Sequence, residues 1–137
     1  MATYVAGVAG MGAYVKGRAK PLPERLSYRD LALLALATQR LSRMVAKDPV
    51  TSPLRSFFTR YQGLSAPAEL HEEVRGHGLQ KAIGELLTCP FCLAQWTATL
   101  GVFGLVVAPR ATRLAADVLA VVGVADSLQF AYAKLQS

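Results

Sequence analysis

The 137-residue chain has two cysteines, one tryptophan and only 18% charged residues. Two cysteines exclude a disulfide-dense secreted scaffold. Scarce charge beside 53% hydrophobic residues excludes intrinsic disorder, which needs low hydrophobicity and high net charge. Eleven glycines and seven prolines follow no period, which excludes a collagen-like chain. No Ser-His-Asp set, phosphate-binding loop or paired carboxylate site is visible. What remains is one helical domain, either soluble or in a membrane.

The charge that is present is lopsided: 15 Lys+Arg against 9 Asp+Glu, a net +6. Lys16, Arg18, Lys20, Arg25 and Arg29 precede the first long apolar run, and Arg110 and Arg113 fall between two others. Residues 47–88 are balanced. A nucleic-acid groove needs basic residues interleaved with exposed aromatics. No such stripe exists, so no nucleic-acid partner is expected. The segment from Met1 to Val15 is apolar, but its basic residues follow rather than precede it, the reverse of a secretory signal. It reads as a flexible or peripheral arm within a basic N-terminal stretch, residues 1–26, ahead of a single helical membrane domain, residues 27–137.

Four segments follow from periodicity and breakers. A helix starts near Ser27, a candidate N-cap with Asp30 three residues on, and runs to Lys47 before Asp48-Pro49 ends it. Its first half is apolar, and Arg29, Arg40, Arg43 and Lys47 share one side. The middle, from Val50 to Thr88, is more polar; residues 67–74 read as a short helix begun by Pro67, and Leu79 to Leu87 as another. From Phe91 to Pro109 no formal charge occurs. As a helix this run is about 28 Å long, close to the roughly 30 Å hydrocarbon core of a bilayer. Trp96 can anchor one end, and Gly101 with Gly104 gives a face that another helix can approach. A fourth helix covers Thr112 to Leu135, with Asp126 at mid-depth. The fold expected is all-α: a small membrane protein with two to three spanning helices and a polar loop holding short helices.

With three spans, the turn from Pro109 to Arg113 lies in the cytoplasm by the positive-inside rule, together with the basic N-terminal stretch, and residues 50–88 lie outside. Arg40 and Arg43 within the first span cost on the order of 2.5–3.5 kcal/mol each at mid-membrane. Asp126 is the natural partner for one of them. If that helix lies on the surface instead, a two-helix hairpin remains.

Thr88-Cys89-Pro90-Phe91-Cys92 is the one motif with evident chemistry. Pro90 suits a first helical turn, and sulfurs three residues apart share a helix face. A thiol at a helix N-terminus has a lowered pKa. Packed structural thiols, a redox or disulfide pair, and zinc all fit. Zinc needs four ligands, and His71, His77, Cys89 and Cys92 are the only His and Cys available. No cofactor is required by the pattern, zinc being the one candidate.

Three strings together resemble a family: Leu36 to Arg43, then Asp48 with Pro53-Leu54-Arg55, then Leu87 to Trp96. They are similar to the bacterial domain-of-unknown-function 1360 family, small predicted membrane proteins, over about residues 28–133. The resemblance implies a helical membrane protein without an established activity, and marks Arg40, Arg43, Asp48, Arg55, Cys89, Cys92 and Trp96. Ala94 stands where family members more often have Gly.

The function expected is non-enzymatic: a protein of the bacterial inner membrane that assembles with itself or with a protein partner in the lipid bilayer. The alternatives are a membrane thiol oxidoreductase or zinc-binding protein, and a structural subunit of a larger particle whose neighbours bury the apolar helices.

Overall fold

A computed structural model describes residues 2–18, 21–66 and 69–136. Among them are six α-helices: α1 (Ala2–Gly17), α2 (Tyr28–Lys47), α3 (Ser52–Arg55), α4 (Leu79–Thr88), α5 (Pro90–Val107) and α6 (Pro109–Gln136). A 3-10 turn, Pro49–Thr51, precedes α3, and two strands, β1 (Thr59–Ala66) and β2 (Glu69–Val74), lie between α3 and α4. The all-α expectation is thus corrected to a mostly helical fold with a small antiparallel sheet. The chain divides into two compact units: Met1–Arg40 with Trp96–Ser137, and Leu41–Gln95.

In the first unit, Ser27 caps α2: its Oγ accepts the Asp30 N–H at 3.1 Å. Leu34 and Ala37 of α2, Leu105 of α5 and Ala116 of α6 form the core, with Leu26, Leu33 and Leu119 against them. The contacts fix the helix directions. Asp30 meets Arg113, and Arg40 meets Asp126, so α2 and α6 run the same way. The Tyr4 ring stands edge-on to Trp96 with centroids 5.1 Å apart, and Tyr14 meets Phe103 at 6.0 Å. Hence α1 runs along α5. The N-terminal residues expected as a flexible or peripheral arm form a helix, and Tyr4 Oη lies 2.8 Å from Thr99 Oγ1. Lys16, Arg18, Arg29, Arg110 and Arg113 consequently gather at one end of this unit, because that end holds the last turn of α1 and the first turns of α2 and α6.

A single residue, Ala108, separates α5 from α6. Pro109 ends one helix and opens the next, since it supplies no N–H and its φ suits a first turn. The expected loop from Pro109 to Arg113 is therefore the first turn of α6. Thr112 N–H donates to the Ala108 carbonyl at 3.0 Å.

In the second unit, β1 and β2 pair antiparallel, with Thr59 opposite Val74, Arg60 opposite Glu73 and Tyr61 opposite Glu72. Gly63, at φ +141°, sits where the register slips. The helix expected at residues 67–74 is a strand from Glu69 to Val74; Pro67 and Ala68 lie outside the described residues. The physical reason lies in Leu70, Glu72 and Val74. They alternate at the strand period, and all three are partly buried, with the Glu72 carboxylate held by a buried arginine. The sheet meets α4 at Gly84, where a Cβ would stand 2.6 Å from Val74 Cγ1 and 3.0 Å from the Phe58 carbonyl oxygen.

Candidate functional site

The Cys pair stands at the junction of α4 and α5. Cys89 ends α4, its N–H donating to the Leu86 carbonyl at 3.4 Å. It also caps α5: its carbonyl accepts the Leu93 N–H at 3.1 Å, and its Sγ accepts the Cys92 N–H at 3.3 Å. Pro90 occupies the first turn that follows. Both thiols are free; Cys89 is half-buried and Cys92 exposed. The Cys92 thiol donates to Cys89 and holds the Cys89 thiol below its ordinary range. Partial burial opposes that shift, whereas the Cys92 and Phe91 N–H groups and the Lys47 charge add to it. A sulfur so placed is suited to nucleophilic attack.

His71, in β2, and His77 are both exposed. Among the described residues no three His, Cys, Asp or Glu side chains gather as metal ligands. The structure brings Cys89 and Cys92 together and does not bring the two histidines to them as a ligand set.

Of the two arginines expected inside the first span, Arg40 lies with its Nε 2.9 Å from Asp126 Oδ2, at 15% and 36% side-chain exposure. Gly123 lets α6 approach closely here, since a Cβ on it would stand 3.3 Å from Arg40 Cβ. Arg43 instead pairs with Glu69. A third ion pair, Arg113 Nε to Asp30 Oδ1 at 2.8 Å with a second bond from Nη2 to Oδ2 at 2.9 Å, was not anticipated. Gly101 and Gly104 serve different neighbours: a Cβ on Gly101 would stand 2.8 Å from Leu34 Cδ2 of α2, and one on Gly104 2.6 Å from Thr112 Oγ1 of α6. Trp96 packs on α1, where Gly7 leaves room for its ring.

Arg55 is the most buried large side chain described, at 1% exposure, and its partner Glu72 is at 3%. Arg55 Nε donates to Glu72 Oε2 at 2.7 Å and Nη2 to Oε1 at 3.1 Å. Nη1 and Nη2 also donate to the carbonyls of Val45 and Asp48 at 2.6 and 3.1 Å, closing the C-terminal end of α2. Ser52 Oγ donates to Glu72 Oε1 at 2.8 Å, and Thr59 Oγ1 lies 2.9 Å from Oε2. Burial opposes the charge on Glu72, yet the bonds from Arg55, Ser52 and Thr59 outweigh it and hold the carboxyl below the usual carboxylate range. Asp48 thus contributes its backbone to this hub. Glu72 itself escaped the sequence reading; the signal for it is the alternation Leu70, Glu72, Val74.

The family described as protein of unknown function (DUF1360) matches residues 33–132. The chain belongs to that family. A relative, "Sporulation protein YjcA" of Bacillus subtilis (strain 168), is 31% identical over 102 residues, which cover 72% of this chain and 86% of the relative. No solved structure matches the chain. The matched span contains Arg40, Arg43 and Arg113, the Arg55–Glu72 hub and the Cys pair, and leaves α1 and Asp30 outside. Two helices, α5 and α6, are long and apolar enough to cross a membrane.

Proposed function

We propose that the chain is an integral protein of the bacterial inner membrane with a non-enzymatic, assembly-type role. The observation that carries this reading is how little of its two most apolar helices the chain itself covers. Only 6% of the apolar window of α5 and 11% of that of α6 is buried. Leu100, Val102, Val118, Val121 and Val124 are exposed along them. The core helix of a soluble monomer buries such side chains, at about 1.5–3 kcal/mol each. Lipid is a cover that matches their length. The basic end of the first unit then faces the cytoplasm and residues 50–88 the outside. Arg40 and Asp126 form a polar link inside the bundle, as intramembrane charges do. The remaining exposed apolar surface receives a second copy or a protein partner. The name of the Bacillus subtilis relative speaks of a cellular process and of no reaction, in keeping with such a role.

Flotation of the expressed chain on a density gradient without detergent tests the reading. The expected result is co-flotation with membrane vesicles that survives a high-salt wash. Recovery as a soluble monomer overturns it, as does a dense lipid-free particle.

A further inference from the structure

The Cys pair does more than fill space at a helix junction. Cys92 lies in the first turn of α5 and Cys89 immediately precedes that helix, its Sγ accepting the Cys92 N–H at 3.3 Å, and the pair remains open to a reactant, with Cys92 exposed. Cys89 is held on three sides by backbone: the Leu86 carbonyl behind it, the Leu93 N–H on its own carbonyl, and the Cys92 N–H on its sulfur. A structural free cysteine is usually buried among apolar groups and inert. Neither thiol here is buried.

We propose that Cys89 and Cys92 form a dithiol that exchanges with an external disulfide, Cys89 attacking first and Cys92 resolving. In the first step the Cys89 thiolate attacks one sulfur of the substrate disulfide, forming a mixed disulfide and expelling one substrate thiolate. That thiolate takes up the proton Cys89 gave to solvent. In the second step the Cys92 thiol loses its proton and attacks the Cys89 sulfur. The mixed disulfide breaks, the second substrate thiol leaves with that proton, and a Cys89–Cys92 disulfide remains. Two electrons pass from the pair to the substrate, and a second dithiol reverses the reaction. The Cys89 sulfur already lies 3.3 Å from the Cys92 N, so the new bond closes with little backbone movement. The order of attack follows from the N-terminal amides, which stabilise negative charge on Cys89. The proposal rests on the pair alone and not on the membrane reading, so it stands or falls separately.

The test uses the full chain purifed in detergent, reduced, then mixed with glutathione disulfide in one arm and insulin, a protein disulfide, in the other. The expected product is the chain lighter by two hydrogens, found by mass spectrometry, with the faster arm identifying the substrate size. Cys92→Ser should trap a glutathione adduct on Cys89, and Cys89→Ser should form its adduct roughly tenfold more slowly. Equal trapping by the two variants overturns the order of attack, and no intramolecular disulfide in either arm overturns the proposal. Should a variant fail to fold, competitive alkylation of the unaltered chain reads the same difference: Cys89 must react faster than Cys92, and equal rates count against the assignment.

Discussion

Arg55 shows how one side chain can organise a segment. Its guanidinium joins the end of α2, the turn after it and the sheet through five hydrogen bonds to Glu72, Val45, Asp48 and Thr51. Removing one partner of a buried pair leaves an uncompensated charge, at about 3–5 kcal/mol. Glu72→Ala should lower the local stability of β1 and β2 by about that much, measured by amide hydrogen exchange. Arg55→Met combined with Glu72→Leu should recover most of the loss, because paired charges replaced by apolar groups are often neutral in stability. The pH dependence has a definite sign. The Glu72 carboxyl titrates lower in the folded chain than in the unfolded one, so its contribution is full above the unfolded value of about 4.3 and is lost as pH falls through the folded value. Exchange protection of the sheet, corrected for intrinsic rates, should hold from neutral pH down and weaken in that acid range, and Glu72→Gln should flatten the response. Arg55 was legible in the sequence through the family motif. Glu72 was not, because a glutamate between polar neighbours reads as a solvated face until a buried cation turns it inward.

Helix boundaries were the most legible elements. The Ser27 cap, the break at Asp48-Pro49 and the uncharged run from Phe91 are local signals, and α2 and α5 begin or end within a residue or two of them. The strands were hidden for a non-local reason: each strand's hydrogen bonds close on the other, and Pro67 followed by acids mimics a helix start. The pairing between helices has a measurable consequence. Arg40 and Asp126 link α2 to α6, so a double-mutant cycle with Arg40→Ala and Asp126→Ala, read by thermal unfolding in detergent, should give a coupling of about 0.5–3 kcal/mol. A coupling of zero would mean the contact contributes nothing. Where α4 meets the sheet, Gly84→Val should cost about 1–3 kcal/mol, because the added methyls meet Val74 and a backbone carbonyl that cannot give way. Circular dichroism of the variant in a denaturant series measures it.

At the scale of the whole molecule, charge and direction agree. The helices of the first unit bring cations separated by almost a hundred residues of sequence to one end. That convergence was readable for the clusters themselves but not for α1, whose apolar, evenly mixed sequence carries no facing pattern. The proposed orientation makes a labelling prediction. In a Cys-free background, a membrane-impermeant thiol reagent applied to intact cells should reach a cysteine restored at position 89 but not one placed at Ala111 until the cells are permeabilised. The opposite pattern reverses the topology.

On the proposed membrane reading, the one-residue junction at Ala108 bears on how the chain would reach lipid. With no loop to thread across, α5 cannot be left on one side while α6 is handled separately. The two must enter as a preformed pair, the tip with Arg110 and Arg113 held at the cytoplasmic surface while the far ends of both helices cross. Biogenesis then depends on completing α6, and a ribosome-stalled chain ending near Val107 should remain outside the bilayer.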